Sequence, residues 1–403
     1  MKPLSPDDRA LLDRIDPAAM LAQVTRWSAI NTGTGNLPGL GLQAAELADA
    51  FAALPGSIEL AEPAAVEAIG ADGAAVAREH GRHLVLRVRP QAERRVLLTG
   101  HMDTVFAAAD PFQDQRWIDD ETLNGPGVAD MKGGIAVILA ALTAFEGTPE
   151  SGRLGYDVMI NADEETGSLS SAPLIADLAR GKAAALTYEP SALPDGTLAG
   201  TRGGSGNYSV VITGRAAHAG RNPQDGRNAV VAAADLALGL KALERDGLAI
   251  NPARIEGGSA NNVVPDNAVL RFNIRPREPH LAQAFAADLS ALAGRIAREH
   301  DVGVHVHGGI TRPPKPLDKR ALALFALVRD CGATLGQAIA WQPSGGVCDG
   351  NNIAACGVPV VDTMGVRGGA IHSSSEYLIV PSLAERAALS ALVLRRLALG
   401  ETV

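Results

Sequence analysis

Residues 95–103 read RVLLTGHMD, an apolar run with β-branched character that ends on a glycine, a histidine and an aspartate. The run predicts a short buried strand over Arg95–Thr99, with His101 and Asp103 delivered just past its C-terminal end. The same shape recurs twice downstream. Tyr156–Asn161 runs into Glu164-Glu165 (VMINADEE), and Ala183–Tyr188 runs into Glu189 (AALTYE). Between the first two lies an apolar stretch, Ile135–Phe145, which reads as a helix. Strands alternating with helices predict an α/β fold whose sheet is mostly parallel, with helices on both faces. In such open sheets, ligands bind at the C-terminal edge of the strands.

Outward from this centre, residues 7–30 carry apolar positions at helical spacing with Pro17 as an interruption, and 40–54 read as a second helix closed by Pro55-Gly56. His83–Val88 alternates as a strand. The texture changes at Gly203-Gly204-Ser205-Gly206. Beyond it come an alternating strand (208–213), a long Ala/Leu helix (228–244), a strand (269–274), a helix (279–300) and a strand (302–307). The Pro-rich segment 311–316 then leads back to α/β-like pieces. The expected organisation is a discontinuous catalytic domain, 1–205 and 311–403, interrupted by an inserted α+β domain over 206–310.

Composition narrows the function. The 403 residues are 46% hydrophobic and 20% charged, as in a globular protein. Aromatics are only 3%, so the core must come from Ala, Leu, Val and Ile. Lys plus Arg number 36 against 45 acidic residues, a net charge of −9, which argues against a nucleic-acid partner. The longest apolar stretch, Ile135 to Leu142, is far short of the roughly 20 residues of a membrane span. The acidic N-terminus lacks the apolar block of a signal peptide, and Cys331, Cys348 and Cys356 form no disulfide or metal framework. A cytoplasmic protein is expected.

The chemistry-bearing residues gather at strand ends and in two loops: Asp130 in NGPGVADMKGG and His372 in GGAIHSSSEY. Two imidazoles and three carboxylates from separate loops suit a pair of borderline ions such as Zn²⁺, with one carboxylate bridging. Asp103, two residues after His101, is placed to orient that imidazole. In an extended segment the side chains of Glu164 and Glu165 point opposite ways, so one can bind metal while the other reaches the water. Against this, a histidine or glutamate alone in a loop is usually solvated. His80, His83, His280, His300, His305 and His307 are read as structural or surface residues, and Asp7-Asp8 and Asp119-Asp120 as solvated acidic pairs. The glycines of GPGVADMKGG lack the G-K-[ST] of a phosphate cradle.

Seven ordered motifs, TGHMDTV, NGPGVADMKGG, NADEETGS, TYEP, TGRAAHAG, NNVVPDNAVLRFNIR and GGAIHSSSEY, give residues 95–385 a resemblance to the zinc-dependent aminoacylase/carboxypeptidase metallopeptidases. The branch it resembles is that of the carboxypeptidase G type glutamate carboxypeptidases. The resemblance implies two Zn²⁺ per chain, with Co²⁺ or Mn²⁺ as substitutes. It implies His101, Asp130 and Glu189 as ligands of one ion and Glu165, His372 and the bridging Asp130 as ligands of the other. Glu164 matches the general base and Asp103 the partner of His101. His218 matches a histidine supplied to the reacting carbonyl, commonly from the other subunit of a homodimer. Asn262 and Arg275 match residues that hold the substrate's carboxylate, and 206–310 matches a lid and dimerisation domain. The implied substrate is a peptide or N-acyl amide with a free carboxylate, cleaved to release a glutamate-like amino acid. Deacylation of N-acyl-amino acids and other small amides suits the same scaffold. A non-catalytic binding protein on a degenerate site is disfavoured by the intact ligand set. Two loops depart from the family wording, GGVCDGN with Cys348-Asp349 and GVRGG with Arg367, and both are expected to face the substrate pocket.

Overall fold

The computed structural model describes residues 4–401 and 403, so the first three residues of the expected N-terminal segment lie outside the described ones. The chain divides into two units. The larger comprises Met1–Ala64, Glu79–Thr201 and Pro316–Val403, and the smaller Ala65–Arg78 and Arg202–Lys315.

The larger unit is built on a six-stranded sheet in the order Ser57–Ala61, His83–Val88, Gly155–Asn161, Arg95–His101, Ala184–Thr187, Val360–Val361. Only His83–Val88 runs against the rest. The period-2 pattern splits every central strand between two cores. Val96 and Leu98, Val158 and Ile160, and Ala184 and Leu186 pack under one helical layer. Leu97, Met159 and Ala185 pack under the other, with helices Ala172–Ala179 and Asp349–Ala355. Both sheet faces are therefore covered, which is why these strands read as continuous apolar runs.

Helix Gly133–Glu146 lies in the first layer with Ser382–Ala398. With its preceding turn, Val128–Glu146 is long and apolar enough to cross a membrane, but 89% of its most apolar window is buried inside the fold. The expected helix over 7–30 is two helices, Pro6–Leu12 and Pro17–Ser28. Pro17 opens the second at a position where its missing N–H costs nothing, and Asp16 caps the N–H groups of Ala18 and Ala19. The reading of Asp7-Asp8 as solvated fails at Asp8. That carboxylate is 1% exposed, closes a capping box with Ser5, and pairs with the buried guanidinium of Arg395. Asp119 and Asp120 are exposed as read.

The smaller unit has a four-stranded antiparallel sheet in the order Leu248–Gly257, Asn267–Pro276, Ser205–Thr213, Gly303–Arg312. Helices Ala229–Ala242 and Pro279–His300 bury one face of it, through Val210, Ile212, Leu270, Phe272, Leu236 and Phe285 among others. The opposite face carries the hairpin Val66–Ile69/Ala75–Arg78. Arg271 donates to the Ile69 carbonyl at 2.7 Å and Asn267 to the Asp72 carbonyl at 3.0 Å. The division expected at 1–205 placed this hairpin in the catalytic domain. Its side-chain anchors belong instead to residues near 270, a long-range pairing that leaves no trace in local pattern.

Candidate metal centre

The parallel strands bring their C-terminal ends to one edge, and the register sets His101 beside Asn161. His101 is 1% exposed. Its Nδ1 lies 3.0 Å from the carbonyl of Asp103 and 3.4 Å from the Asp103 carboxylate. With Nδ1–H donating to those oxygens, Nε2 is the ring nitrogen that faces the acidic cluster. Nε2 lies 3.1 Å from Asp130 Oδ1 and 3.7 Å from Glu189 Oε2.

Asp130 sits in the turn Val128–Lys132, at φ −115°, ψ 88°, outside helical geometry. The turn is entered through Gly127 at φ 71°, a conformation open to glycine at no steric cost. Gly134, in the first helical turn after it, lies so close to strand Ala184–Thr187 that a Cβ there would come within 2.1 Å of the Tyr188 carbonyl oxygen. The glycines of this motif serve close packing at the site's floor.

The second imidazole, His372, is held at φ 62° in the loop before Tyr377–Ile379. Its Nε2 lies 3.3 Å from Asp130 Oδ2 and 3.2 Å from Glu165 Oε2. One oxygen of Asp130 thus faces each imidazole. The ligand atoms of His101, Asp130 and Glu165 lie within 4.8 Å of one another, and so do those of His101, Glu164 and Glu189.

The expectation of opposed side chains at Glu164-Glu165 does not hold. Glu164–Thr166 is a single 3₁₀ turn, closed by Gly167 at φ 100°. Successive residues then lie about a third of a turn apart, so both glutamates reach the cluster. The Asp103 carboxylate holds this turn, accepting the N–H groups of Glu164 (3.1 Å) and Glu165 (3.2 Å) and the Thr34 hydroxyl (2.8 Å).

The donor set fits divalent ions. All five side chains expected as ligands offer nitrogen or carboxylate oxygen. Glu189 Oε1 is buried with no hydrogen-bond partner, an acceptor waiting for a positive group. Burial pushes the Glu189 carboxyl up to about 8 and the Glu165 carboxyl up to about 7, with Asp130 adding repulsion at both. Burial would do the same to Asp130, but hydrogen bonds from His101 and His372 outweigh it and hold that carboxyl below the ordinary range. Those bonds to Asp130 and Glu165 push His372 up to about 10. For His101, burial is outweighed by the Glu189 charge and by hydrogen bonds to Asp103 and Asp130, and its value is raised well above the ordinary one. Carboxylates and imidazoles that share protons in this way are the groups from which a metal ion displaces protons.

The smaller unit holds the remaining expected residues. A bridge between His218 and Val263, with the Ala219 N–H donating to the Asn262 carbonyl at 2.9 Å, sets His218 and Asn262 on adjacent segments. His218 Nδ1 accepts the N–H groups of Gly220 (3.1 Å) and Arg221 (3.2 Å). The proton of the neutral ring therefore sits on Nε2, which can only donate. Arg275 is exposed on strand Asn267–Pro276, its Nε donating to Asn273 at 2.8 Å.

Both departing loops are engaged by the larger unit itself. Asp349 is buried and accepts from Asn161 (2.7 Å) and Ser168 (2.6 Å), beneath the glutamate turn. Arg367 donates to Glu385 (3.1 Å) and to the Pro194 carbonyl (2.9 Å). Sequence reasoning missed Thr34 and Glu376. The available signal for Glu376 was an acidic residue inside the Ser-rich motif that also carries His372.

The family model described as peptidase family M20/M25/M40 matches residues 97–396. Carboxypeptidase G2 of Pseudomonas sp. (strain RS-16) is 31% identical over 341 residues, covering 80% of this chain and 78% of its own. Succinyl-diaminopimelate desuccinylase of Xanthomonas oryzae pv. oryzae (strain MAFF 311018) is 29% identical over 326 residues, covering 75% and 83%. Among solved structures, a tripeptidase from Staphylococcus aureus superposes with a TM-score of 0.72 at 23% identity, covering 95% of this chain and 99% of its own.

Proposed function

The chain belongs to the M20/M25/M40 peptidase family, and from that premise we propose that it is a dinuclear-zinc amide hydrolase releasing a C-terminal, glutamate-like amino acid from a peptide or N-acyl conjugate. The observation that carries the reading is Asp130, whose two oxygens each face one imidazole, with Glu189 on one side and Glu165 on the other. We assign His101, Asp130 and Glu189 to one ion, and Asp130, Glu165 and His372 to the other.

Ions held there would polarise the scissile carbonyl and acidify a water. Glu164, on the 3₁₀ turn held by Asp103, takes that water's proton and passes it to the leaving nitrogen. His218, able only to donate from Nε2, hydrogen-bonds the developing oxyanion. Arg275 forks onto the substrate's free carboxylate, and we assign Asn262 to the same carboxylate. We further assign the smaller unit as lid and dimerisation domain of a homodimer, and place the protein in the cytoplasm, a reducing compartment that suits three cysteines outside any disulfide.

A second reading, deacylation of an N-acyl amino acid other than glutamate, draws support from the similarity to the desuccinylase. One experiment tests both. N-acyl amino acids and dipeptides are scored by released amino acid, with Zn²⁺, Co²⁺ and Mn²⁺ compared. N-acyl-glutamates turning over fastest, with loss on chelation and recovery on adding Zn²⁺ or Co²⁺, is the expected result. Full turnover by protein shown metal-free by elemental analysis refutes the metal mechanism. A strong preference for a non-glutamate leaving group favours the second reading.

A further inference from the structure

We propose that Glu376 is a positioning residue that fastens the Asp130 turn to the His372 loop, so that these two ligands are assembled as one piece. The inference rests on the dinuclear reading above.

The carboxylate of Glu376 is buried, 1% exposed. It accepts three backbone donors of the Asp130 turn: Ala129 N–H at 2.9 Å and Asp130 N–H at 3.0 Å on one oxygen, and Gly127 N–H at 3.2 Å on the other. Gly127, Ala129 and Asp130 stand at the start of this turn, where N–H groups have no carbonyl four residues back to pair with. Left unpaired in the core they would carry their full desolvation penalty. A concave row of N–H groups also attracts an anion, which the chain here supplies from its own loop.

The main chain of the same residue is pinned as well. The carbonyl of Glu376 accepts from Asn124 Nδ2 at 2.6 Å and from the Gly125 N–H at 3.3 Å. On its other side the turn is tied down by buried Lys132, whose Nζ donates to the carbonyls of Trp27 (3.0 Å) and Ile30 (2.8 Å).

Only three residues separate Glu376 from His372, so the loop grips the backbone of Asp130 at one end and faces its side chain at the other. Ala370 and His372 both hold positive φ, 52° and 62°, conformations that non-glycine residues keep only where their surroundings enforce them. Glu376 supplies part of that enforcement. It fixes the spacing of Asp130 and His372 before any ion arrives, which is how supporting groups raise a metal site's affinity.

The test compares Glu376→Ala and Glu376→Gln with the parent. Metal affinity is measured by chelator competition with Zn²⁺ and Co²⁺, geometry by the visible spectrum of the Co²⁺ protein, and folding by circular dichroism of the metal-free form. Arg395→Ala, far from the site and destabilising for other reasons, serves as control. In Glu376→Ala the affinity of the weaker-bound ion should fall by about 10–100-fold, with an altered Co²⁺ spectrum. Glu376→Gln should show an intermediate loss, because its carboxamide retains one acceptor oxygen. Turnover should fall through kcat with KM near that of the parent, and Arg395→Ala should keep the parent's affinity and spectrum. Parent affinity and spectrum in a folded Glu376→Ala protein overturn the proposal, whatever its activity. If that variant does not fold, parent affinity and spectrum in Glu376→Gln overturn it equally. A parent that binds fewer than two ions per chain would instead sink the dinuclear reading.

Discussion

Replacing Asp103 by asparagine separates two jobs that one carboxylate could hold. Sequence reasoning gave it the first, orienting His101, but the nearer acceptor for Nδ1–H is the backbone carbonyl of Asp103 at 3.0 Å, against 3.4 Å to the carboxylate. Asparagine leaves that carbonyl in place. The carboxylate's other partners are the Thr34 hydroxyl and the N–H groups of Glu164 and Glu165, all donors. A carboxamide offers one oxygen, so its NH₂ must oppose at least one donor. An unpaired buried N–H costs about 1–3 kcal/mol, and the remaining bonds lose their charge assistance, for a total of order 2–4 kcal/mol. If about 3 kcal/mol of this appears as misplacement of the turn carrying Glu164, kcat falls roughly 100-fold at 1.36 kcal/mol per decade. Steady-state kinetics on the best N-acyl substrate, with elemental analysis of the same samples, reads both jobs. The expected Asp103→Asn protein retains two ions and loses turnover. A variant that loses metal while its remaining holoenzyme keeps parent kcat would refute the reasoning and return the carboxylate to His101.

Three further outcomes are expected. Glu164→Gln should lower turnover by about 10²–10⁴-fold with metal content preserved, whereas Glu165→Gln should lose metal; the reverse pattern would exchange their roles. Arg395→Ala strands the buried Asp8 carboxylate and should cost about 3 kcal/mol in urea unfolding. Burial works against it, but the Ser5 hydrogen bonds and Arg395 hold Asp8 below its ordinary 3.8. That contribution is therefore complete above pH 3.8 and fades as pH falls through the lower folded value. A parent–variant gap that stays constant down to pH 2 would contradict this. Finally, mixing His218→Ala with Glu164→Gln chains under proven subunit exchange should restore some activity if His218 acts in trans, because one site of each heterodimer escapes both lesions. A mixture that stays inactive places His218 within its own chain.

Much of the larger unit is legible because its strands obey a simple local rule. Arg95–His101, Gly155–Asn161 and Ala184–Thr187 are buried on both faces, so each is largely apolar, Asp157 being a charged exception paired with Lys182, and each stops at or just before its polar ligand. Helix Pro279–His300 is legible end to end because Pro279 opens it and Asp301, at φ 53°, closes it. What stays hidden depends on partners distant in the chain. Asp8 looks solvated until Arg395 arrives from the C-terminal helix, and Glu376 looks like a loop residue until the Asp130 turn presents its N–H groups. Adjacent Glu164 and Glu165 were misjudged in local geometry, since Gly167 and the Asp103 carboxylate together wind them into a turn.

The hairpin at 65–78 also gives the chain a timetable. On a ribosome it emerges early, yet its anchors at Asn267 and Arg271 come roughly 200 residues later, about 10–40 s at ordinary elongation rates. A two-stranded ribbon alone is barely stable in water, so during that interval it waits unpaired. The smaller unit therefore cannot be finished as a self-contained insert while the chain passes through it. Expressed alone, 202–315 should lack the covering of one sheet face, and a synthetic 65–78 peptide added in trans should protect the amides of Asn267–Pro276 from hydrogen exchange.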